Sequence, residues 1–199
     1  MDINRDYRTI TREQFLFHEM RIVARLLDDG MDEEKVKEEV VANNLFQYPT
    51  ERMIKNIASV CLNRFKETDS KELIHIVATE SSDVAKQACL FIMMNYYRLV
   101  WEFMITVIGE KYRTKDSSFT KMDLNSFFTR LQEQNDVVAS WSDATIYKCK
   151  QVLKKTLVET GYLDNNKSEV LNPVLLDYSV REAIENTNNS EALVAFGCL

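Results

Sequence analysis

Glycine and proline are both scarce in this sequence, which has four glycines and two prolines in 199 residues. All-β folds and glycine-rich phosphate-binding loops place these residues at tight turns, so their scarcity disfavours both and predicts long helices with few sharp corners. The rest of the composition, with 45% hydrophobic and 28% charged residues, is that of an ordinary folded protein. The length suits one compact domain or two small ones.

The sequence also lacks the short motifs of common enzyme sites, because it contains no Walker-type loop, GxSxG, HExxH or GxGxxG. Its two histidines, His18 and His75, do not have metal-ligand spacing, and a surface or core position is the ordinary explanation for each. We therefore predict a protein that is not an enzyme and that holds neither a metal nor a cofactor.

Paired cysteines and an apolar leader are missing as well. The four cysteines are far apart and form no CxxC pair, and the first ten residues, MDINRDYRTI, contain no apolar segment. Both features predict unpaired thiols and a cytoplasmic location.

The one long apolar run covers residues 88–109, ACLFIMMNYYRLVWEFMITVIG. A membrane span is disfavoured because Arg98 and Glu102 lie near its centre, where a charge costs about 2.5–3.5 kcal/mol on insertion scales. Asn95, Arg98, Glu102 and Thr106 recur at steps of three or four residues and predict one polar stripe on a single long helix over residues 83–113. We expect Arg98 and Glu102 to form an ion pair there, although a pocket element is the alternative.

The remaining pattern predicts an all-α fold, a helical bundle around that long central helix. We divide the chain into an N-terminal helical part (1–80), the central helix (81–115) and a C-terminal part (116–199). Capping signals and apolar spacing predict the other helices, over residues 11–29 (with Thr11 and Gln14 as a capping box), 32–43, 50–66, 70–79, 121–133, 142–160, 179–186 and 191–196. After the helix predicted over residues 142–160, the segment YLDNNKSEVLNPVLL predicts one small β-hairpin around an Asn-Asn turn.

Positive charge is concentrated in one part of the chain. The net charge is −6, yet residues 111–160 carry nine Lys and Arg against six Asp and Glu. A polyanion-binding face is therefore to be sought there first. On the helix predicted over 142–160, Ile146, Cys149, Leu153 and Leu157 face inward. The polar and basic side chains that we predict to contact DNA are Thr145, Lys148, Lys150, Gln151, Lys154 and Lys155.

This helix follows another helix and precedes the predicted hairpin, which is the order of a winged helix-turn-helix. In that fold the second helix enters the major groove and the wing contacts the backbone. We predict that the lysines contact phosphates and that Gln151 reads bases. The alternative is that the lysines only solubilise an exposed helix, and the spacing leaves both interpretations open.

A second helix-turn-helix-like unit is predicted over residues 32–66. Arg52, Lys55 and Asn56 point away from the apolar face of its second helix and are candidate DNA contacts. The turn between the two helices is long and the first helix is acidic, so the signal is weaker than the one over 142–160.

Three longer pieces resemble the BrxA family, the small accessory proteins of BREX phage-resistance systems. They are FHEMRIVARLLDDGMDEEKVKEEVVANNLFQYPT, AKQACLFIMMNYYRLVWEFMITVIGEKY and VASWSDATIYKCKQVLKKTLVETGYL, in order over about residues 15–165. The most characteristic features are the opening from Glu19 to Gly30 and the Trp141-Ser142 pair followed by Thr145.

The resemblance implies a bacterial cytoplasmic protein encoded beside a DNA methyltransferase and ATPases, with a helical fold, DNA-binding character and no established catalytic residues. Members have also been likened to the RNA-binding antitermination protein NusB. Three functions follow as hypotheses. The first is a noncatalytic factor that binds double-stranded DNA, the second a scaffold for other BREX proteins, and the third an RNA-binding protein.

Overall fold

Helices account for nearly all regular structure in the computed structural model, which describes residues 6–198. The prediction of an all-α fold is confirmed. A π-helical segment, Met104–Gly109, joins α6 to α7, and a 3-10 helix covers Ser190–Phe196. The α-helices of the described range are α1 (Phe17–Asp28), α2 (Glu33–Ala42), α3 (Glu51–Thr68), α4 (Lys71–Thr79), α5 (Ser82–Tyr96), α6 (Arg98–Phe103), α7 (Glu110–Thr114), α8 (Lys121–Gln134), α9 (Asp136–Ala139), α10 (Asp143–Glu159) and α11 (Tyr178–Glu185).

Local capping explains where several helices begin and end. The hydroxyl of Thr50 accepts a hydrogen bond from the third backbone N–H of α3, and that of Ser142 does the same at the start of α10. Gly30 and Gly161 adopt φ values of 88° and 81°, the left-handed conformation that ends α1 and α10. These boundaries agree with the sequence predictions.

Two compact units divide the chain. Unit 1 consists of Tyr97–Leu176 with the described residues of Met1–Gln14 and Ser190–Leu199. Unit 2 consists of Phe15–Tyr96 and Asp177–Asn189. Aromatic rings form part of the core of unit 1, where the ring of Phe103 packs edge-on against Phe119 and Phe127 with centroids 6.2 and 5.4 Å apart.

Unit 2 buries a charged side chain beneath the start of α1. Arg64 on α3 is 1% exposed, and its Nη1 donates a hydrogen bond of 2.9 Å to the carbonyl of Phe15. Because that carbonyl is bound by a side chain, and because Leu16 has a φ of 58°, the backbone before Phe17 is not helical. The predicted helix start at residue 11, with its Thr11 and Gln14 capping box, is therefore wrong.

The predicted central helix is also not continuous. Tyr97 has an extended backbone (φ −115°, ψ 109°) that ends α5 and begins α6. Its ring is buried, and its hydroxyl donates a hydrogen bond to the carboxylate of Glu13. Since a buried hydroxyl needs such a partner, this bond stabilises the break. No helix among residues 6–198 has both the length and the apolar character to cross a bilayer.

The predicted polar stripe is divided by this break. The carbonyl oxygen of the Asn95 side chain accepts a hydrogen bond of 2.9 Å from Asn189 within unit 2. In unit 1 the predicted ion pair of Arg98 and Glu102 is confirmed at 2.8 Å, and the guanidinium of Arg98 also lies 4.5 Å from the centre of the Tyr7 ring. The stripe thus serves internal pairing in both units.

The predicted β-hairpin does not form among the described residues. Side-chain and backbone bonds make a local turn over residues 165–168, in which Asn165 accepts from the N–H of Lys167 at 2.8 Å. The residues after this turn lie antiparallel to the segment before α8. Phe119 N–H donates to the carbonyl of Glu169 at 2.8 Å, and Leu171 N–H donates to that of Ser117 at 2.7 Å. Burial of Phe119 and Leu171 accompanies this longer-range pairing.

Gly109 packs closely against the 3-10 helix of unit 1. A Cβ at this position would lie 2.7 Å from Cγ1 of Val194 and 3.3 Å from its carbonyl oxygen. Because Gly109 has a helical φ, replacing it by alanine would by itself stabilise the helix by about 1 kcal/mol. Crowding the stiff, β-branched side chain of Val194 would cost about 1–3 kcal/mol. We expect Gly109→Ala to lower the free energy of unfolding by about 1 kcal/mol in urea denaturation. In a double-mutant cycle, Val194→Ala should remove that loss, and an undiminished loss would contradict the close contact.

Candidate nucleic-acid interface

Helix α10 buries one face in unit 1 and exposes the other. The four side chains predicted to face inward, Ile146, Cys149, Leu153 and Leu157, are all buried, as are Val152 and Thr156. The outer face therefore carries the residues that were predicted to contact DNA.

Three of these predicted residues have no internal partner. The side chains of Lys148, Gln151 and Lys154 form no ion pair or hydrogen bond with any residue in the range 6–198. Lys148 and Gln151 are exposed and Lys154 is half-buried. Their side chains are free to bind a ligand without first breaking a contact.

The other predicted residues of α10 are engaged within unit 1. Lys155 donates a hydrogen bond of 2.8 Å to the side-chain oxygen of Gln14 and lies 3.5 Å from the carboxylate of Glu159. Thr145 lies in the first turn, with its hydroxyl 3.0 Å from that of the capping residue Ser142. Lys155 and Thr145 thus have structural contacts of their own.

Lys150 is held against α8. Its Nζ donates to Oδ1 of Asn125 at 2.9 Å and lies 5.4 Å from the centre of the Phe128 ring. Burial lowers the pKa of Lys150 below its ordinary value, and the nearby carboxylate of Asp143 acts in the opposite direction. This lysine therefore links α10 to α8.

A surface groove of about 540 Å³ runs between α8 and α10. On α10 it is lined by side chains at a regular helical spacing, among them Asp143, Tyr147, Lys150 and Lys154. The ring of Tyr147 is 64% exposed. We call this surface the α8–α10 groove, and its remaining lining residues are Lys121, Leu124, Asn125, Gln132, Ile146, Gln151 and Asn166.

Sequence reasoning missed the contribution of α8. Lys121, its first residue, is exposed and lines the groove together with Asn125 and Gln132, and its side chain forms no ion pair or hydrogen bond with residues 6–198. These three residues are spaced by four and seven positions, so they share one flank of α8 next to its core face. That periodicity was available in the sequence, but the facing helix was not.

Lys111 anchors the loop that leads into α8. Its Nζ lies 2.9 Å from a carboxylate oxygen of Asp116 and 2.9 Å from one of Asp123, and its side chain is 10% exposed. The hydrogen bond from Lys111 holds the pKa of Asp116 well below its ordinary value. Burial raises the pKa of Asp123, but bonds from Lys111 and from the N–H of Thr120 lower it by more. This cluster therefore positions Lys121 at the start of α8.

The charge of the two units differs. The described residues of unit 1 carry thirteen Lys and Arg and thirteen Asp and Glu, whereas those of unit 2 carry eleven and seventeen. Unit 1 is thus neutral overall, with its basic residues gathered partly along α10, and unit 2 is strongly acidic. Repulsion from phosphates is therefore weaker at unit 1.

Candidate contacts on the N-terminal side lie in unit 2. Arg52, Lys55 and Asn56 are exposed in the first turns of α3, as the sequence pattern suggested. Lys55 forms an ion pair with Glu51 one turn earlier. The preceding helix, α2, is capped by Asp32, whose carboxylate accepts a hydrogen bond of 2.9 Å from the N–H of Lys35. The first turn of α2 adds the acidic side chains of Glu33 and Glu34.

Fold and surface together define a small all-α protein with one partly basic surface helix. The BrxA family model matches residues 6–188. A BREX protein BrxA from Bacillus cereus is 40% identical over 169 residues, which cover 84% of each chain. One from Escherichia coli is 29% identical and covers 79% of this chain and 74% of the relative. The chain therefore belongs to the BrxA family of BREX phage-defence proteins.

A solved structure shares the fold. It is the crystal structure of an uncharacterized protein from Magnetospirillum magneticum, with a TM-score of 0.81 and 21% sequence identity, covering 96% of this chain and 98% of that one. At this identity the likeness concerns the fold alone.

Proposed function

We propose that this protein is a noncatalytic, cytoplasmic accessory factor of a BREX system that binds duplex DNA, mainly through phosphates, with α10 and the α8–α10 groove. The observation that carries the proposal is a set of three lysines whose side chains have no partner within the described range 6–198: Lys121, Lys148 and Lys154. Each can neutralise a phosphate and release the counterions condensed around it, which is the main source of affinity in such complexes.

The order of elements in unit 1 supports the same proposal. An extended segment leads into α8, and α9 and α10 come after α8. A second extended segment follows α10 and pairs with the first one at Ser118 and Val170. In a helix-turn-helix a first helix and a short connection precede a second helix that enters the major groove, and α8, α9 and α10 follow one another in that order. In this arrangement Gln151 is on the outer face of α10, where its amide can reach base edges.

Arg52, Lys55 and Asn56 of α3 form a secondary contact in this proposal. We expect their contribution to be small, because Lys55 is already paired with Glu51 and the unit around them is acidic. The same acidity favours a different role for unit 2, the docking of basic surfaces on other BREX proteins. That is the second candidate function, and it does not need DNA.

A salt-titrated binding assay with duplex DNA, single-stranded DNA and structured RNA side by side tests the proposal. We expect duplex binding that weakens steeply as salt rises. Preference for structured RNA would favour the RNA-binding hypothesis. Absence of binding to all three, with stable co-purification of another BREX protein, would favour the scaffold.

A further inference from the structure

We propose that the α8–α10 groove holds one unpaired nucleotide of a DNA strand, with its phosphate at Lys121 and Lys154 and its base on the ring of Tyr147. The inference rests on the proposed function, because it takes α10 to lie on the DNA-binding face. It goes further by assigning a ligand to the groove and a preference for DNA that contains unpaired bases.

The two ends of the groove differ in chemistry. The bond from Lys150 to Asn125 brings the middle of α10 beside the first half of α8, and the short α9 connection brings the end of α8 back to the start of α10. Along the two helices, Lys121 and Lys154 come on the side of this contact away from α9, whereas Gln132, Asp143 and Tyr147 come between the contact and α9. One end is therefore cationic and the other is aromatic, amide-bearing and acidic.

The cationic end suits a phosphate. The side chains of Lys121 and Lys154 have no partner among residues 6–198, and Asn166 also lines the groove. Lys150, one turn before Lys154 on α10, lines the same groove. The carboxylate of Asp143 repels a phosphate, so it excludes the opposite orientation of the nucleotide.

The other end suits a base. A tyrosine ring that is 64% exposed can stack on any base, and such stacking is largely independent of sequence. Asp143 and Gln132 supply acceptors for exocyclic amino groups, as carboxylates do for the N4 of cytosine. Tyr147 and Lys154 are seven positions apart, about 10 Å along the helix, and both line the groove.

A duplex cannot offer the face of a base to Tyr147 without unpairing it, so the groove distinguishes two forms of DNA. We compare a fully paired duplex with the same duplex carrying a three-nucleotide mismatched bubble, at fixed salt. The wild type should bind the bubbled duplex about tenfold more tightly, within the range of base–aromatic stacking. In Tyr147→Ala this ratio should fall to about one, and Tyr147→Phe should retain the ratio.

Tyr178→Ala is the matched control, because Tyr178 is 75% exposed on α11 of unit 2 and should leave the ratio unchanged. Equal wild-type affinity for the two duplexes, or an unaltered ratio in Tyr147→Ala, would overturn the nucleotide site while leaving the proposed function intact. Failure of the wild type to bind either duplex would overturn the proposed function itself, and the nucleotide site with it.

Discussion

Replacing Lys121, Lys148 and Lys154 together by glutamine is expected to weaken duplex DNA binding roughly 500-fold at 0.1 M salt. Each phosphate contact contributes about 0.9 to the slope of log affinity against log salt, so three contacts contribute about 2.7 log units between 1 M and 0.1 M. The three side chains are exposed or half-buried and have no partner among residues 6–198. Neutralising them should therefore leave the fold unchanged, which circular dichroism and urea denaturation can check.

A matched variant separates this effect from net charge. Lys35, Lys66 and Lys71 are exposed lysines of unit 2, and their replacement by glutamine changes the net charge by the same amount. The ion pairs of Lys35 with Asp32 and of Lys66 with Glu33 are exposed and contribute little to stability. We expect this variant to bind duplex DNA within about threefold of the wild type, since Lys35 and Lys66 are already paired with carboxylates and none of the three lysines belongs to α10 or the α8–α10 groove. Similar losses in both variants would mean that α10 is not the binding surface.

Replacing Lys111 by methionine is expected to destabilise unit 1 by about 2 kcal/mol at pH 7. The change leaves the carboxylates of Asp116 and Asp123 without the cation that lies between them. Breaking a fully buried pair in this way costs about 3–5 kcal/mol, and the exposure of Asp116 to water reduces that figure. Because this cluster fixes the loop before α8, we also expect the variant to bind DNA less tightly. Urea denaturation measures the first effect and a duplex-binding assay the second.

The same variant has a predicted pH dependence. The pKa values of Asp116 and Asp123 are lower in the folded protein than in the unfolded chain, where an aspartate has a pKa near 4. The two ionised carboxylates therefore stabilise the fold above about pH 4, and this stabilisation is lost as the pH falls through their pKa values in the folded protein. The wild type should lose stability from about pH 5 downward. Lys111→Met should lose less, and the difference between the two should narrow towards pH 3. A difference that is constant between pH 7 and pH 3 would contradict the assigned ion pairs.

Features governed by neighbours in sequence could be predicted from the sequence. The caps at Thr50 and Ser142 and the left-handed ends at Gly30 and Gly161 depend on a few adjacent residues, and so does the apolar face of α10. Membership of the BrxA family was also recognisable from the sequence alone and is confirmed.

Features governed by distant partners could not be predicted. The break at Tyr97 depends on Glu13, which is 84 positions away, and the start of α1 depends on Arg64. Apolar periodicity alone favoured helix at both places. The extended segment after α10 pairs with residues about 50 positions earlier in place of its own hairpin partner.

In the candidate site, too, some residues could be predicted from local sequence spacing and others depend on distant partners. Helical spacing identified Lys148, Gln151 and Lys154, because it separates an exposed face from a buried one. It did not identify Lys121, because only the contact of Lys150 with Asn125 reveals which flank of α8 faces α10. It also could not tell that Lys155 has internal partners, since one of them, Gln14, is 141 positions away.

The measurement that tests the central claim most directly is the salt dependence of duplex DNA binding by the wild type and by the glutamine variant of Lys121, Lys148 and Lys154. If these lysines neutralise phosphates, the slope of log affinity against log salt should be less steep in the variant by about three. The slope should be unchanged in the variant of Lys35, Lys66 and Lys71. Equal slopes for the wild type and the Lys121, Lys148 and Lys154 variant would contradict the account.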